Sequence, residues 1–467
     1  YRWFWLAMFV SVLLGRFPAA GAETGSWGDQ GDGTYHNPIL NADYPDVDIE
    51  KLGDTYYLIT STNHYAPGMT LLESNDLVNW RIIGHVWDKL TWDSKYNWDR
   101  MGGYRHGVRA GDLAYHDGRW FCYVIDSSCG LYYIFMAEWR EGDRKQIALR
   151  GRSLYGPLER KVLMERGNRV QRSVCQGALV QAPDRSWWLT HQLVQTRAKA
   201  KGDLAGPTTG ESYEGRSQWL IPVKWTDGWP VLGVDPDGNG IGNTVHQWRK
   251  PIEGFPVAAP QTDDQFDSPT LGPQWQWNHN PRDDHWSLVE RPGWLRLEAG
   301  VPVGEGGFWN AANTISQRLM GKGQGTVTAK VDLSGMRPGQ QAGFCHHSGQ
   351  YVLLGVRVED DGTKRLVLDN NGKSTEGPAI TEDVIYYRTD VDGDQATFAY
   401  GFDGKSWTRF GDPFQLEFGR WRGDRLGFYC WNDQADAGHI DVDWFHYDYD
   451  GPKGTVSQTA EKGPPRE

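Results

Sequence analysis

Hydrophobic positions along this chain come in short runs, not at helical spacing. No long stretch keeps a 3.6-residue period, and each apolar or aromatic run is entered through a polar turn. Gly53-Asp54-Thr55-Tyr56-Tyr57-Leu58, Asp117-Gly118-Arg119-Trp120-Phe121-Cys122 and Asp184-Arg185-Ser186-Trp187-Trp188-Leu189 share one plan, a tight turn followed by an aromatic strand. Asp54 and Asp117 are 63 residues apart, and Asp117 and Asp184 are 67 apart. Extended segments such as Leu113-Ala114-Tyr115 and Ala178-Leu179-Val180 stand ahead of the later turns. Repeats of this size made of short antiparallel strands predict propeller blades. A plain run of β-hairpins is the other arrangement the spacing allows.

The pattern changes after Trp225-Thr226-Asp227-Gly228-Trp229-Pro230. Residues 233–262 are rich in Gly, Asp, Asn and Pro and read as a long connection. Alternating strands then resume: Trp294-Leu295-Arg296-Leu297, Gly325–Val331, Tyr351–Val356 and Ile440-Asp441-Val442-Asp443-Trp444-Phe445. Strands of this kind over residues 262–450 suit one β-sandwich. Residues 451–467, rich in Lys, Gly, Pro and Glu, read as a loose tail.

Composition narrows the classes. A net charge of −12 argues against nucleic acid as the main partner, because phosphate binding needs a basic footprint. Only 39% of residues are hydrophobic, too few for a multi-span membrane protein. Aromatics at 13% argue against disorder, and 58 Gly with 24 Pro imply many turns. A Trp-rich, acidic, helix-poor chain has the composition expected of a secreted all-β sugar-handling protein.

The chain opens on Tyr1, so a fragment or a trimmed start is expected. Arg2, the apolar run Trp3–Leu14 and Ala20-Gly21-Ala22 read as a secretory signal over residues 1–22, too short to serve as a membrane span. The expected localisation is secreted or periplasmic. Cys122, Cys129, Cys175, Cys345 and Cys430 are sparse, odd in number and without metal-ligand spacing, so most should be buried apolar residues. A Cys122–Cys129 link is the one local pairing open to them.

Candidate chemistry lies in carboxylates on loops beside aromatic strands. Asn41-Ala42-Asp43-Tyr44-Pro45-Asp46-Val47-Asp48 packs three Asp around a proline turn, and Asp112 stands at the entrance to the second repeat. Hydrolysis of a glycosidic bond needs one carboxylate to activate water and one protonated carboxyl for the leaving oxygen, with their pKa values held apart. Turn capping explains an isolated Asp equally well.

The stretch Asn37-Pro38-Ile39-Leu40-Asn41-Ala42-Asp43-Tyr44-Pro45-Asp46-Val47-Asp48, with Gly53–Tyr57 and Ser74-Asn75-Asp76-Leu77-Val78-Asn79-Trp80, resembles the opening of glycoside hydrolase family 43. Asp264–Asp267, Leu271–Pro281 and Trp286-Ser287-Leu288 resemble the family's concanavalin A-like C-terminal domain. The resemblance covers residues 35 to 449. It implies a five-bladed propeller over residues 35–255, a β-sandwich over residues 262–450, and hydrolysis of xylosides or arabinofuranosides with inversion. It places Asp46 as general base, Asp112 as the aspartate that tunes and holds the acid, and Arg216 as a substrate-contacting arginine. Read from its own surroundings, Arg216 suits a surface salt bridge as well. Gln176 falls where many relatives carry a central-axis histidine.

The chain departs from the family at the general acid. The family places a Glu shortly before an aromatic run like Tyr132-Tyr133-Ile134-Phe135, and counting back lands in Phe121–Asp126, where there is no Glu. Residues 35–255 are also too few for five blades on a 63–67-residue repeat. A missing segment near Ser128 to Leu131, about one blade long and carrying the acid, accounts for both. Glu138 is the nearest Glu and a candidate replacement, although Arg140 and Arg144 fit it into an ordinary ion pair.

No metal site or required cofactor is expected. Asp441 and Asp443 alternate with Ile440 and Val442 and could hold a structural Ca²⁺, or else be solvated strand positions. His346, His347 and His446 read as strand-end histidines. Phosphate-loop, dinucleotide and serine-elbow signatures are absent. Two functions follow: a hydrolase of xylose- or arabinose-containing plant polysaccharides or oligosaccharides, impaired by loss of its acid, or a carbohydrate-binding protein on the same scaffold without turnover.

Overall fold

The structure is a computed structural model and describes residues 28–126, 137–140, 143–150, 159–165, 176–196, 211–321, 324–420 and 422–451. The segments read as signal peptide and tail, together with Cys129 and Cys175, lie outside these residues. Cys122, Cys345 and Cys430 carry free thiols, the last two buried.

The first half folds into antiparallel sheets, two of them with the four strands expected of a blade. Asp48–Leu52, Thr55–Thr60, Gly68–Ser74 and Arg81–Trp87 form a four-stranded sheet in chain order. Val108–His116 pairs with Arg119–Asp126. Ala137–Arg140, Asp143–Arg150 and Glu159–Glu165 make a three-stranded sheet. Leu179–Gln181, Trp187–Thr196, Glu211–Thr226 and Trp229–Leu232 make another of four.

The turns obey local sterics. Asp117 and Gly118 both take positive φ, at 48° and 74°, as do Asp227 and Gly228, at 52° and 73°. Two consecutive left-handed residues are what a type I′ hairpin demands, and Asp-Gly is among the dipeptides that tolerate it best. The two ends of this half are tied together. Thr34–His36 pairs with Gln247–Arg249, and buried Lys250 reaches Asp29 at 2.6 Å and Asp76 at 2.8 Å.

The second half is a sandwich of a seven-stranded and an eight-stranded sheet. Its core forms where inward positions of the two sheets meet: Phe344 and Phe428 from one, Phe398 and Phe445 from the other, with ring centroids 5.6–6.2 Å apart. Ile440 and Val442 point inward and are fully buried, as their alternation predicts. Asp441 is not the solvated position that the same alternation suggested. It is buried beneath Arg291 and Arg296, whose guanidinium groups donate to its carboxylate at 2.8–2.9 Å, while Asp443 binds Lys330 at 2.6 Å. Both carboxylates are neutralised by basic side chains.

The halves join through backbone and side chain alike. Ala66 and Trp277 exchange N–H···O=C bonds at 3.1 and 2.6 Å. The Asn280 amide brackets Leu90, accepting from its N–H and donating to its carbonyl, both at 2.7 Å.

Because Phe428 touches aromatic rings of both sheets, truncation leaves a cavity the core cannot close. Phe428→Ala should cost about 3–5 kcal/mol, read as a lower urea midpoint for the sandwich transition. An unchanged midpoint would show that the ring cluster does not hold the sheets together.

Candidate active site

The segment from Asn41 to Asp48 crosses the junction between propeller and sandwich, and Asp46 sits at its bend with φ +54°. A non-glycine residue held there needs support from its surroundings. The Asp46 N–H donates to Gln192 Oε1 at 2.9 Å. One carboxylate oxygen accepts from the Ser61 hydroxyl at 2.8 Å and the other from Arg216 Nη1 at 3.0 Å. Ser61 in turn accepts the N–H of Ala110 at 2.8 Å. Asn63, Ala110 and Gln176, all close to this constellation in the bond network, also take positive φ. Backbone strain of this kind gathers at functional sites.

Arg216 projects from the long strand Glu211–Thr226, and its own N–H donates to Asp43 Oδ1 at 3.0 Å. The residue before it must be glycine. Gly215 has φ +79°, and a Cβ there would lie 2.4 Å from the Asp43 carboxylate. The Asp43 side chain also meets Arg422 of the sandwich, at 3.2 Å. Burial alone would raise the Asp43 carboxyl, yet Arg422, Arg216 and the Arg216 N–H together hold it below the ordinary carboxylate value. Burial pushes Arg422 down to about 10, with Asp43 opposing the fall.

The structure therefore brings Asp46 and Arg216 into direct contact. Gln176 joins them at one remove: its side-chain oxygen accepts from Gln192 at 2.7 Å, and Gln192 holds the Asp46 backbone. Asp112 is placed differently. It is exposed on the strand Val108–His116, and its carboxyl meets that of Asp48, which also accepts the Leu113 N–H at 2.8 Å. Burial, and then the neighbouring Asp112 charge, push Asp48 up to about 6. Glu138 lies on the strand Ala137–Arg140 opposite Lys145, and the role read for its side chain falls outside the described residues.

Four supporting residues escaped the sequence reading: Ser61, Gln192, Gly215 and Arg422. Gln192 had a visible signal, since Thr190-His191-Gln192 interrupts an aromatic strand with three polar residues, all buried. Gly215 stood beside Arg216. Ser61 and Arg422 left no local mark.

A carboxylate offers about four lone-pair sites, and the two oxygens of Asp46 each spend one on a fixed donor. It is thus oriented on both sides with acceptor capacity left for a water proton. Among the described residues no group of three or more His, Cys, Asp or Glu could hold a metal ion.

Folded Asp48 binds its proton more tightly than an unfolded Asp, so this group costs stability as pH rises from about 4 through 6. Asp48→Asn keeps an acceptor for the Leu113 N–H and removes that cost. Its Tm should exceed that of the parent at pH 7.5 and match it at pH 3.5. An equal difference at both pH values would rule out the shared proton.

Comparison with known proteins bears on this site directly. Residues 35–129 match the glycosyl hydrolases family 43, and residues 263–448 match the beta xylosidase C-terminal concanavalin A-like domain. A beta-xylosidase of Formosa agariphila is 44% identical over 565 positions, covering 93% of each chain. A putative beta-xylosidase of Xylanibacter ruminicola is 30% identical, covering 87% of this chain and 88% of its own. A solved glycoside hydrolase of family 43, engineered to display both endo-xylanase and exo-arabinofuranosidase activity, superposes with a TM-score of 0.71 at 21% identity, over 89% of this chain and 99% of its own. The Formosa alignment spans 565 positions but takes in 93% of this chain, about 434 of its 467 residues, so about 131 residues of that relative have no counterpart in this chain. With its propeller sheets, its two-sheet sandwich and both matches in register with them, the chain belongs to glycoside hydrolase family 43 and carries that family's concanavalin A-like C-terminal domain.

Proposed function

We propose that this fold serves hydrolysis of O-glycosidic bonds in xylose- or arabinose-containing plant polysaccharides or oligosaccharides, with inversion, outside the cytoplasm. The observation that carries the reading is the doubly supported carboxylate of Asp46, set between Ser61 and Arg216. In this role Asp46 takes a proton from water as its oxygen bonds to the anomeric carbon and the bond to the leaving oxygen breaks. Arg216 orients the base and presents donors to sugar hydroxyls. Asp112 would tune a general acid.

That acid is the weak point. Among the described residues the propeller sheets hold four, two, three and four strands, with a further two-stranded pair joining the ends, against four in each of five expected blades. The roughly 131 absent positions amount to about two of the 63–67-residue units. The family match in the propeller ends at Cys129, just where no Glu is found. These observations support a gap larger than a single blade that removes the acid, and they favour a second reading in which the chain binds sugar without turnover. Loss of a general acid typically costs 10²–10⁴-fold in rate, and least where the leaving group needs no proton.

The test compares 2,4-dinitrophenyl β-D-xyloside and α-L-arabinofuranoside with xylobiose and arabinoxylan oligosaccharides. Turnover of the activated substrates, abolished by Asp46→Asn and with the inverted anomer appearing first by proton NMR, is the expected outcome. The natural substrates should lag far behind. Calorimetric binding of xylo-oligosaccharides with no sugar released from any substrate would establish the binding reading instead.

A further inference from the structure

Arg422 belongs to the sandwich, yet both arms of its guanidinium end on the propeller. Nη1 reaches Asp43 Oδ2 at 3.2 Å, and Nη2 donates to Asn63 Oδ1 at 2.6 Å. Each contact is one step from a support of the base. Asp43 holds the Arg216 N–H, and Arg216 binds one oxygen of Asp46. Asn63 is paired with Val108 through reciprocal backbone bonds at 2.9 and 3.1 Å, which fixes the strand whose Ala110 N–H orients Ser61, and Ser61 binds the other oxygen of Asp46. We propose that Arg422 is a positioning residue for Asp46, acting through Asp43–Arg216 on one side and Asn63–Ser61 on the other, so that the sandwich sets the geometry of the base.

Arg422 is built for this task. It is 2% exposed, and its backbone is locked in a tight loop by exchanged bonds with Gly419 at 2.8 and 2.9 Å. A second sandwich arginine grips the same segment. Arg318 donates to the Asp43 carbonyl at 2.8 Å and to Thr70 at 3.0 Å, and lies 4.5 Å over the Tyr44 ring. Charge explains why Arg422 cannot be spared. Asp43 and Asp46 are both buried, and the two guanidinium groups that bond directly to their carboxylates are those of Arg216 and Arg422. Without Arg422, Arg216 is the one guanidinium left in direct contact with both carboxylates and is drawn from Asp46 toward Asp43.

The role of Asp46 as base rests on the proposed function, but its placement does not, and the experiment separates the two. Crystal structures of full-length Arg422→Met and Asn280→Ala are compared with the parent; Asn280 also bridges the halves, far from Asp43 in the bond network. The Arg216–Asp46 contact at 3.0 Å should be lost in Arg422→Met and kept in Asn280→Ala. If it survives in Arg422→Met the inference falls, whether or not the chain hydrolyses anything.

Where 2,4-dinitrophenyl xyloside is turned over, Arg422→Met should lower kcat about 10²-fold with little change in KM, since small misplacement of a reacting group costs that much. The ionisable groups facing Asp43 are Arg216, Arg318, Arg422, Arg425, Tyr44 and Tyr65. Removing Arg422 lets Asp43 take up a proton at higher pH, so the acid limb of the rate profile should move upward. Arg422→Lys should restore part of both, and Asn280→Ala should lower Tm without moving the limb. A limb that shifts equally in Asn280→Ala would reduce Arg422 to interface glue.

Discussion

Burying charge is what the architecture at this junction must solve. An ionised group removed from water costs several kcal/mol unless it meets a partner in good geometry. Here Asp43 and Asp46 are almost wholly buried, and their partners come from two different domains. The propeller supplies Arg216 and the sandwich supplies Arg422, so neither half could close this region alone without leaving a carboxylate unanswered. The extensive backbone contact around Ala66–Trp277 and Leu90–Asn280 follows from that requirement, because a charge network tolerates little slack between the bodies that form it.

What the sequence disclosed tracks how local each constraint is. Hairpin turns were legible because two left-handed residues in succession admit few dipeptides, and Asp117-Gly118 declares the turn unaided. The aromatic strands and the sandwich alternation were legible for the same reason. Asp46 and Arg216 could be named because the motif around each resembles a known family. Arg422 could not, since it meets Asp43 from 379 residues away and nothing in its neighbourhood hints at the partner. Asp441 shows the opposite failure. Alternation correctly turned it away from the apolar layer but could not foresee that two arginines would roof it over.

The placement of Asp112 has a similar lesson. A residue that tunes a general acid should be enclosed by the groups it tunes, yet here it stands exposed beside Asp48. Among the described residues its strand belongs to a two-stranded sheet, the last before the family match ends.

That small sheet carries a cost beyond catalysis. Among the described residues Arg119–Asp126 pairs only with Val108–His116, so no other described strand meets its far edge. Trp120 stands 43% exposed on the same strand. An open border of this kind is a template for a neighbouring molecule. Where such a border stays open in solution, it favours end-to-end association through this strand, and solubility then reports on this sheet.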